Sequence, residues 1–218
     1  VGSEMCIRDR ITARTTDELV ENLKETEYYA PLKKIKDTDN VTLYDYNLAL
    51  DLYYYTSTWK EQKKILKKSD LELFMRDRGS KIDLLNIQWI YRAKKYYNMK
   101  PADIYLMLIP IHYKLSTELV KDMVEAPGVE EFENVVIRTT YARHYNFKQN
   151  LTMEQMYADC LHHLYTADRR KNPYSVSAIN TYLFLKEEEL KKLTTVMECV
   201  RYGLNPGETA AYIGGRTR

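Results

Sequence analysis

Few groups in this 218-residue chain have the type and spacing that chemistry requires. The densest is Asp159-Cys160-Leu161-His162-His163. On a helix, Asp159 and His163 share a face at i, i+4, while Cys160 and His162 point elsewhere. Two converging ligands fall short of the three or four that a tetrahedral metal site needs, and His112 and His144 carry no matching spacing. A surface Asp–His pair is the expectation; a helical enzyme built on Asp159 and His163 is the form catalysis would take here. Gly79-Ser80-Lys81 lacks the earlier glycine and the preceding apolar strand of a phosphate-binding loop. Cys6, Cys160 and Cys199 are widely spaced, with no CxxC pair, which argues against a disulfide framework or zinc knuckle and fits a reducing compartment. No nucleophile–base pair is visible. The expectation is therefore a protein without catalytic residues, metal, cofactor or small-molecule substrate. Arg92 is the remaining chemical handle, in the stripe Leu85, Trp89, Arg92, Tyr96. It is either a surface arginine laying its stem along apolar neighbours or an arginine lining a concave surface, where it meets a partner's carboxylate.

Those residues must be held by helices. Gly (7) and Pro (6) are scarce, β-branched runs are few, and no segment alternates with period two. Hydrophobic residues make up 44% of the chain, enough for a core. The 20 tyrosines suit partly dry helix seams, being apolar with a polar tip. Thirty-three basic residues against 31 acidic give no global attraction to nucleic acid or anionic lipid. The longest apolar run, Ile104 to Ile111, is far short of the roughly 20 residues a membrane-spanning helix needs.

A helix-end pattern occurs twice. Pro101 and Pro206 lie 105 residues apart, and the same offset places Leu85 on Leu190, Tyr97 on Tyr202, Met99 on Leu204 and Asp103 on Glu208. A long helix, a tight break and a new helix opened by proline have been used twice, as in a scaffold built by internal duplication. Along the chain, a first helix opens at Thr16-Asp17-Glu18 and is expected to end before Pro31. Residues 36–40 read as a turn, and Leu43–Leu66 as one long helix or two. Ser69-Asp70-Leu71-Glu72 reads as a capping box for a short helix ended by Gly79. Ser116 caps a helix closing near Pro127-Gly128, and Glu130 to about Tyr145 reads as helix. Thr152-Met153-Glu154-Gln155 opens another, running to about Arg170, before a break at 172–175. A long helix from Val176 to Tyr202 ends on Gly203, and Asn205-Pro206-Gly207-Glu208 starts a short final one that Gly214-Gly215 ends. The expected lobes are residues 40–127 and 128–214, with 11–39 as the remnant of something preceding and 215–218 as a tail. Val1 to Arg10 resembles translated library-adapter sequence, so the natural protein is expected to begin upstream of Ile11.

Lys81-Ile82-Asp83-Leu84-Leu85-Asn86-Ile87 followed by Tyr91-Arg92-Ala93-Lys94-Lys95-Tyr96-Tyr97 resembles a hallmark of the C-subunit family of V-type ATPases, whose eukaryotic members are the d subunits. Asn172-Pro173-Tyr174-Ser175 leading into Tyr182-Leu183-Phe184-Leu185-Lys186-Glu187 is similar to its second hallmark, and Gly203 to Glu208 to its C-terminal turn. Ile111-His112-Tyr113-Lys114-Leu115-Ser116 is also similar, although the family often has glycines at Ile111-His112. The resemblance runs from about Leu43 to Ile213. It implies an all-α, funnel-like protein of three pseudo-repeated helix-bundle lobes, of which two are present here. It further implies a non-catalytic rotor part on the cytoplasmic face of the membrane, peripheral to it. Such a part couples the central shaft to the proteolipid ring for ATP-driven ion transport or ATP synthesis. On that resemblance, Arg92, Tyr96, Arg138, Tyr141, Arg143, Tyr174 and Lys186 are the candidates to grip the neighbouring proteins of the complex. The alternative from the residues alone is a free-standing helical-repeat adaptor that binds a peptide or a membrane-surface partner.

Overall fold

A computed structural model describes residues 12–36, 41–142, 153–171 and 175–213. Among them there is no strand, and ten helices follow in order: α1 Thr16–Asn22, α2 Tyr29–Lys36, α3 Leu43–Ile65, α4 Lys68–Lys95, α5 Pro101–Met107, α6 Thr117–Glu125, α7 Val129–Ile137, α8 Met153–Lys171, α9 Val176–Arg201 and α10 Pro206–Tyr212. The expected all-α class holds. The chain divides into two compact units, Val1–Met153 and Glu154–Arg218. Helix α7 follows the expected lobe boundary at 127/128 and packs on α4 and α6, with the elements before that boundary.

In the first unit α3, α5, α6 and α7 are arranged on α4, while α1 and α2 pack with α3. Ile82, Leu84, Ile87, Ile90, Tyr91 and Ala93 are all buried, on several sides of the helix, so α4 is interior along its second half. Helix α3 lies on one side, with Leu52, Tyr55 and Trp59 packed around Ile82, Ile109 and Ile111. On the other side lie α5, α6 and α7, with Phe132 of α7 against Tyr91 at 6.0 Å.

Gly79 does not end a helix, contrary to expectation; α4 runs straight through it. The reason is tertiary. A Cβ at Gly79 would sit 2.6 Å from Cγ of Tyr113, so glycine is what leaves room for the base of the Tyr113 side chain. Ser69 lies inside the first turn of α4, whose N-cap is Lys67 with no side-chain cap, so the expected capping box is not formed. The first helix ends at Asn22, before Pro31 as expected, and Pro31 belongs to the next helix. It sits in the first turn of α2, where its missing N–H is no loss. Helix α7 stops at Ile137, short of the expected end near Tyr145. Beyond it Thr139 turns its hydroxyl back to the Val136 carbonyl (2.7 Å), and Tyr141 is drawn inward.

Several local expectations hold. Ser116 Oγ accepts the Leu119 N–H at 3.2 Å and opens α6. Asn205 and Glu208 form a reciprocal capping box, with bonds of 3.0 and 2.9 Å, and Pro206 is the first helical residue. The repeat is real in the backbone: α5 and α10 are both seven residues long and begin 105 residues apart. The breaks before them each contain a left-handed residue at the same offset, Asn98 (φ 46°) and Gly203 (φ 74°).

In the second unit, α9 lays one face on α8: Phe184 stacks on Tyr165 at 4.6 Å and Thr181 donates to the Tyr165 carbonyl at 2.7 Å. Val1 to Arg10, residues 37–40, Arg143 to Thr152, the break at 172–174 and Gly214-Gly215 lie outside the described residues.

Candidate functional site

Helix α4 carries three polar side chains that tie later segments of the first unit to it. The segment between α5 and α6 has no ladder of its own, so its buried backbone groups need partners. Asp83, fully buried, supplies them: its carboxylate accepts from the N–H groups of Tyr113 (3.0 Å), Lys114 (2.6 Å) and Leu115 (3.2 Å), and from the Tyr141 hydroxyl (2.7 Å). One turn on, Asn86 holds both sides of Ile109, donating to its carbonyl and accepting its N–H, each at 3.0 Å. Near the helix end, the Lys94 ammonium donates to the Val124 and Ala126 carbonyls at 2.7 and 2.6 Å, closing the C-terminus of α6. Burial holds the Lys94 pKa below the ordinary lysine value. These contacts make α4 a stiff beam whose exposed end is well positioned.

That end forms one wall of an open groove of 490 Å³ between α3 and α4. Arg92 lines it together with Trp89, Tyr97, Tyr44, Leu48 and Asp51, and Met99 and Met107 lie at its α5 end. The surface is aromatic and apolar, with one guanidinium and one carboxylate. That is the make-up of a protein-docking anchor, where arginine and large aromatics are enriched, rather than of a catalytic centre. A second groove of 620 Å³ lies among α1, α2 and α3, lined by Tyr28, Tyr53 and Tyr54 with Glu27, Asp51 and Glu61.

The candidate residues read from the sequence fall in different places. Arg92 and Tyr96 are both exposed at the end of α4, Tyr96 edge-on to Tyr91 at 6.3 Å. Arg138 is exposed and paired with Asp122 at 2.7 Å. Tyr141 is not on a partner-facing surface: it is buried, its hydroxyl given to Asp83. Burial first, then the Asp83 charge, drives its pKa far above the ordinary phenol value. Lys186 is exposed on α9 in the other unit, its ammonium 2.6 Å from Glu189. Arg143 and Tyr174 lie outside the described residues. Sequence reasoning did not find Tyr44 and Asp51, which reach the groove from α3, nor the tethering roles of Asp83, Asn86 and Lys94. An acid and an amide at i, i+3 on an otherwise apolar helix was the available signal for the last group.

The Asp159–His163 pair is exposed on α8. Among the described residues no three His, Cys, Asp or Glu side chains gather as a metal site. Burial, aided by Asp159, pushes the Cys160 thiol up to about 11, so it is protonated at neutral pH and no ready nucleophile.

A sequence-family model described as ATP synthase (C/AC39) subunit matches residues 3–212, a span that starts within the decapeptide read as foreign. The C subunit of the A-type ATP synthase of Methanosarcina mazei is 32% identical over 127 residues, which is 58% of this chain and 33% of that protein. The C subunit of the A-type ATP synthase of Methanobrevibacter smithii is 26% identical over 205 residues, 89% of this chain and 53% of that protein. The chain thus matches between a third and about half of the length of these relatives. No solved structure matches it.

Proposed function

Because the chain belongs to the ATP synthase (C/AC39) subunit family, we propose that it is a non-catalytic rotor part that couples the central shaft to the membrane proteolipid ring. Its partners are other proteins of the complex, and its place is the cytoplasmic face of the membrane, held there through the ring. Among the described residues no helix is long and apolar enough to cross a membrane, so attachment through the ring is the route this reading uses.

The observation that carries the reading is the groove at the end of α4. A coupling part must pass torque without yielding. Close-packed interiors are poorly compressible, and α4 is interior along its second half and tied to the 109–115 segment and α6. The beam ends in an open surface of Arg92, Trp89, Tyr97 and Tyr44, suited to grip a protein partner that supplies a carboxylate and apolar side chains. Arg92 and Tyr96 form the first-unit contact, with Arg138 and Lys186 as further exposed positions for a partner; Arg143 and Tyr174 stand as candidates from the sequence alone.

The test is affinity measurement between this protein and purified shaft proteins, alone and with the ring. Arg92→Glu is expected to weaken shaft binding at least tenfold. Wild-type-like binding by Arg92→Glu would remove the groove from the interface. Absence of binding by the unaltered protein to shaft and ring would overturn the coupling role and favour the free-standing adaptor.

A further inference from the structure

A groove of 620 Å³ in the first unit, among α1, α2 and α3, has no part in the coupling reading. Leu23, Leu32 and Leu50 make it apolar inside, and Leu32 is buried. Asp51, Tyr54, Thr58 and Glu61 of α3 line it at spacings of three, four and three, which is one face of a helix. Glu27 and Tyr28 line it from the turn between α1 and α2. The Tyr53 hydroxyl donates to Glu27 at 3.1 Å, and Tyr28 meets the Tyr53 ring edge-on at 6.0 Å. Partial burial first, then the bond to Glu27 and the charges of Glu27 and Glu61, raise the Tyr53 pKa, so both carboxylates act on this phenol.

Three exposed carboxylates thus share a groove with tyrosine walls, and among the described residues no lysine or arginine lines it. The acids of α9 differ, being paired with Lys186 and Lys191 of their own helix. The net charge of the chain is +2, so this negative site is local and not the general character of the surface. Carboxylates and tyrosine faces both attract a cation, and ring faces and leucines also pack methylene groups. Tyr54 already meets a cation in this way: the Arg78 guanidinium, reaching from α4, sits 5.0 Å from its ring centre. Asp51 and Glu61 lie ~15 Å apart along α3. Among the described residues no three acids gather closely enough to hold a metal ion. A linear polyamine, with ammonium groups joined by short methylene chains, has both the reach and the alternation of charge and apolar length. The volume of the groove falls within the range of small-ligand sites.

We infer that this groove binds a linear polyamine, one ammonium group at Asp51 and another at Glu27 and Glu61, with its methylene chain over Tyr54 and the leucines. Tyr53 holds the Glu27 carboxylate in place through its hydrogen bond. Asp51 also lines the groove of Arg92, so the two sites share a wall. The inference stands on the first unit alone and does not depend on the coupling role.

Isothermal titration calorimetry of the protein with spermine, spermidine and n-butylammonium tests it. One spermine per chain, bound about tenfold or more tightly than n-butylammonium, is the expected result. Glu27→Gln and Glu61→Gln are exposed changes that should leave the helices intact by circular dichroism, and each should weaken spermine binding about tenfold. Glu130→Gln removes an exposed acid of α7 outside the groove and should leave binding unchanged. An equal loss in Glu130→Gln, or spermine bound no more tightly than n-butylammonium, would show attraction to scattered charge and overturn the site. Unchanged binding by both Glu27→Gln and Glu61→Gln would overturn this groove as the place. A lysine-rich helical peptide that displaces spermine at equal concentration would make the occupant a protein segment and overturn the polyamine. Absence of spermine binding by the unaltered protein would overturn the inference outright. None of these outcomes bears on shaft binding through Arg92, so the coupling role is tested apart.

Discussion

Asp83 offers the sharpest test of how the first unit is held together. The side chain is fully buried and accepts four hydrogen bonds, three from the backbone of residues 113–115 and one from Tyr141. Asp83→Ala removes all four acceptor contacts. Tyr113 and Lys114 are not fully buried, so water can reach their N–H groups; Leu115 and Tyr141 are buried, so their donors are stranded. A buried donor left without a partner costs ~1–3 kcal/mol, and two are stranded here. The expected loss is therefore about 3–5 kcal/mol, or roughly 6–20 °C in Tm for a chain of this size. Asp83→Asn relieves the cost of burying a charge but turns an NH₂ group toward donors, so a smaller loss of about 2 kcal/mol is expected. Urea unfolding followed by circular dichroism measures both, as a fall in midpoint with little change in slope. A double-mutant cycle with Tyr141→Phe should show a coupling energy of at least ~1 kcal/mol. Losses under ~0.5 kcal/mol for both Asp83 variants, or strict additivity with Tyr141→Phe, would show that the carboxylate does not tie the segment down.

Gly79→Ala gains up to ~1 kcal/mol of helix propensity but drives a Cβ to 2.6 Å from Tyr113 Cγ, close to that residue's backbone. Overpacking of ~1–3 kcal/mol should win, giving a net loss of about 1 kcal/mol by the same urea assay; a gain would show that Tyr113 moves aside freely. Lys94→Met keeps the apolar stem and removes the two bonds to the end of α6. A loss of about 1–2 kcal/mol is expected, with faster amide hydrogen exchange in the last turn of α6. Tyr141→Phe should cost about 1–2 kcal/mol at pH 7. The raised pKa of Tyr141 means the fold holds this proton more tightly than the unfolded chain does. Its contribution is therefore complete below the ordinary value of 10.0 and falls as pH rises beyond it. The gap between wild type and Tyr141→Phe should accordingly shrink above about pH 10 in a series of melts, and a gap that widens would refute the assignment.

What the sequence made legible was mostly local. Gly203 as a left-handed helix stop, the Asn205–Glu208 box and Ser116 as a cap each follow from a few neighbouring residues and backbone sterics. The errors came where a distant residue decides. Gly79 carries the usual mark of a helix end, but its lack of a side chain serves Tyr113, far along the chain. The end of α7 is fixed by Tyr141 reaching Asp83, a contact 58 residues apart in sequence. Arg92 stood out as a charge in an apolar stripe. The groove that gives it a setting needs Tyr44 and Asp51 from α3, and no spacing rule links them to it. Tyr141 looked like a surface grip because tyrosine suits interfaces; burial beside a carboxylate uses the same two properties, an apolar ring and a donor tip.

The repeat separates what backbone geometry preserves from what packing requires. The offset of 105 keeps the helix break, the left-handed residue and the proline-opened helix, although one copy uses Asn98 and the other Gly203. Asparagine tolerates that conformation at modest cost, so the turn survives the change of residue. The tether does not survive: Asp83 and Asn86 correspond to Glu188 and Lys191, which pair with each other at 3.4 Å on α9 rather than holding a neighbouring segment. The covering helix differs as well, since α3 takes the face of α4 that is open on α9. The two copies thus share what backbone sterics fix, the break and the helix start, and differ wherever a side chain must find a partner on another element.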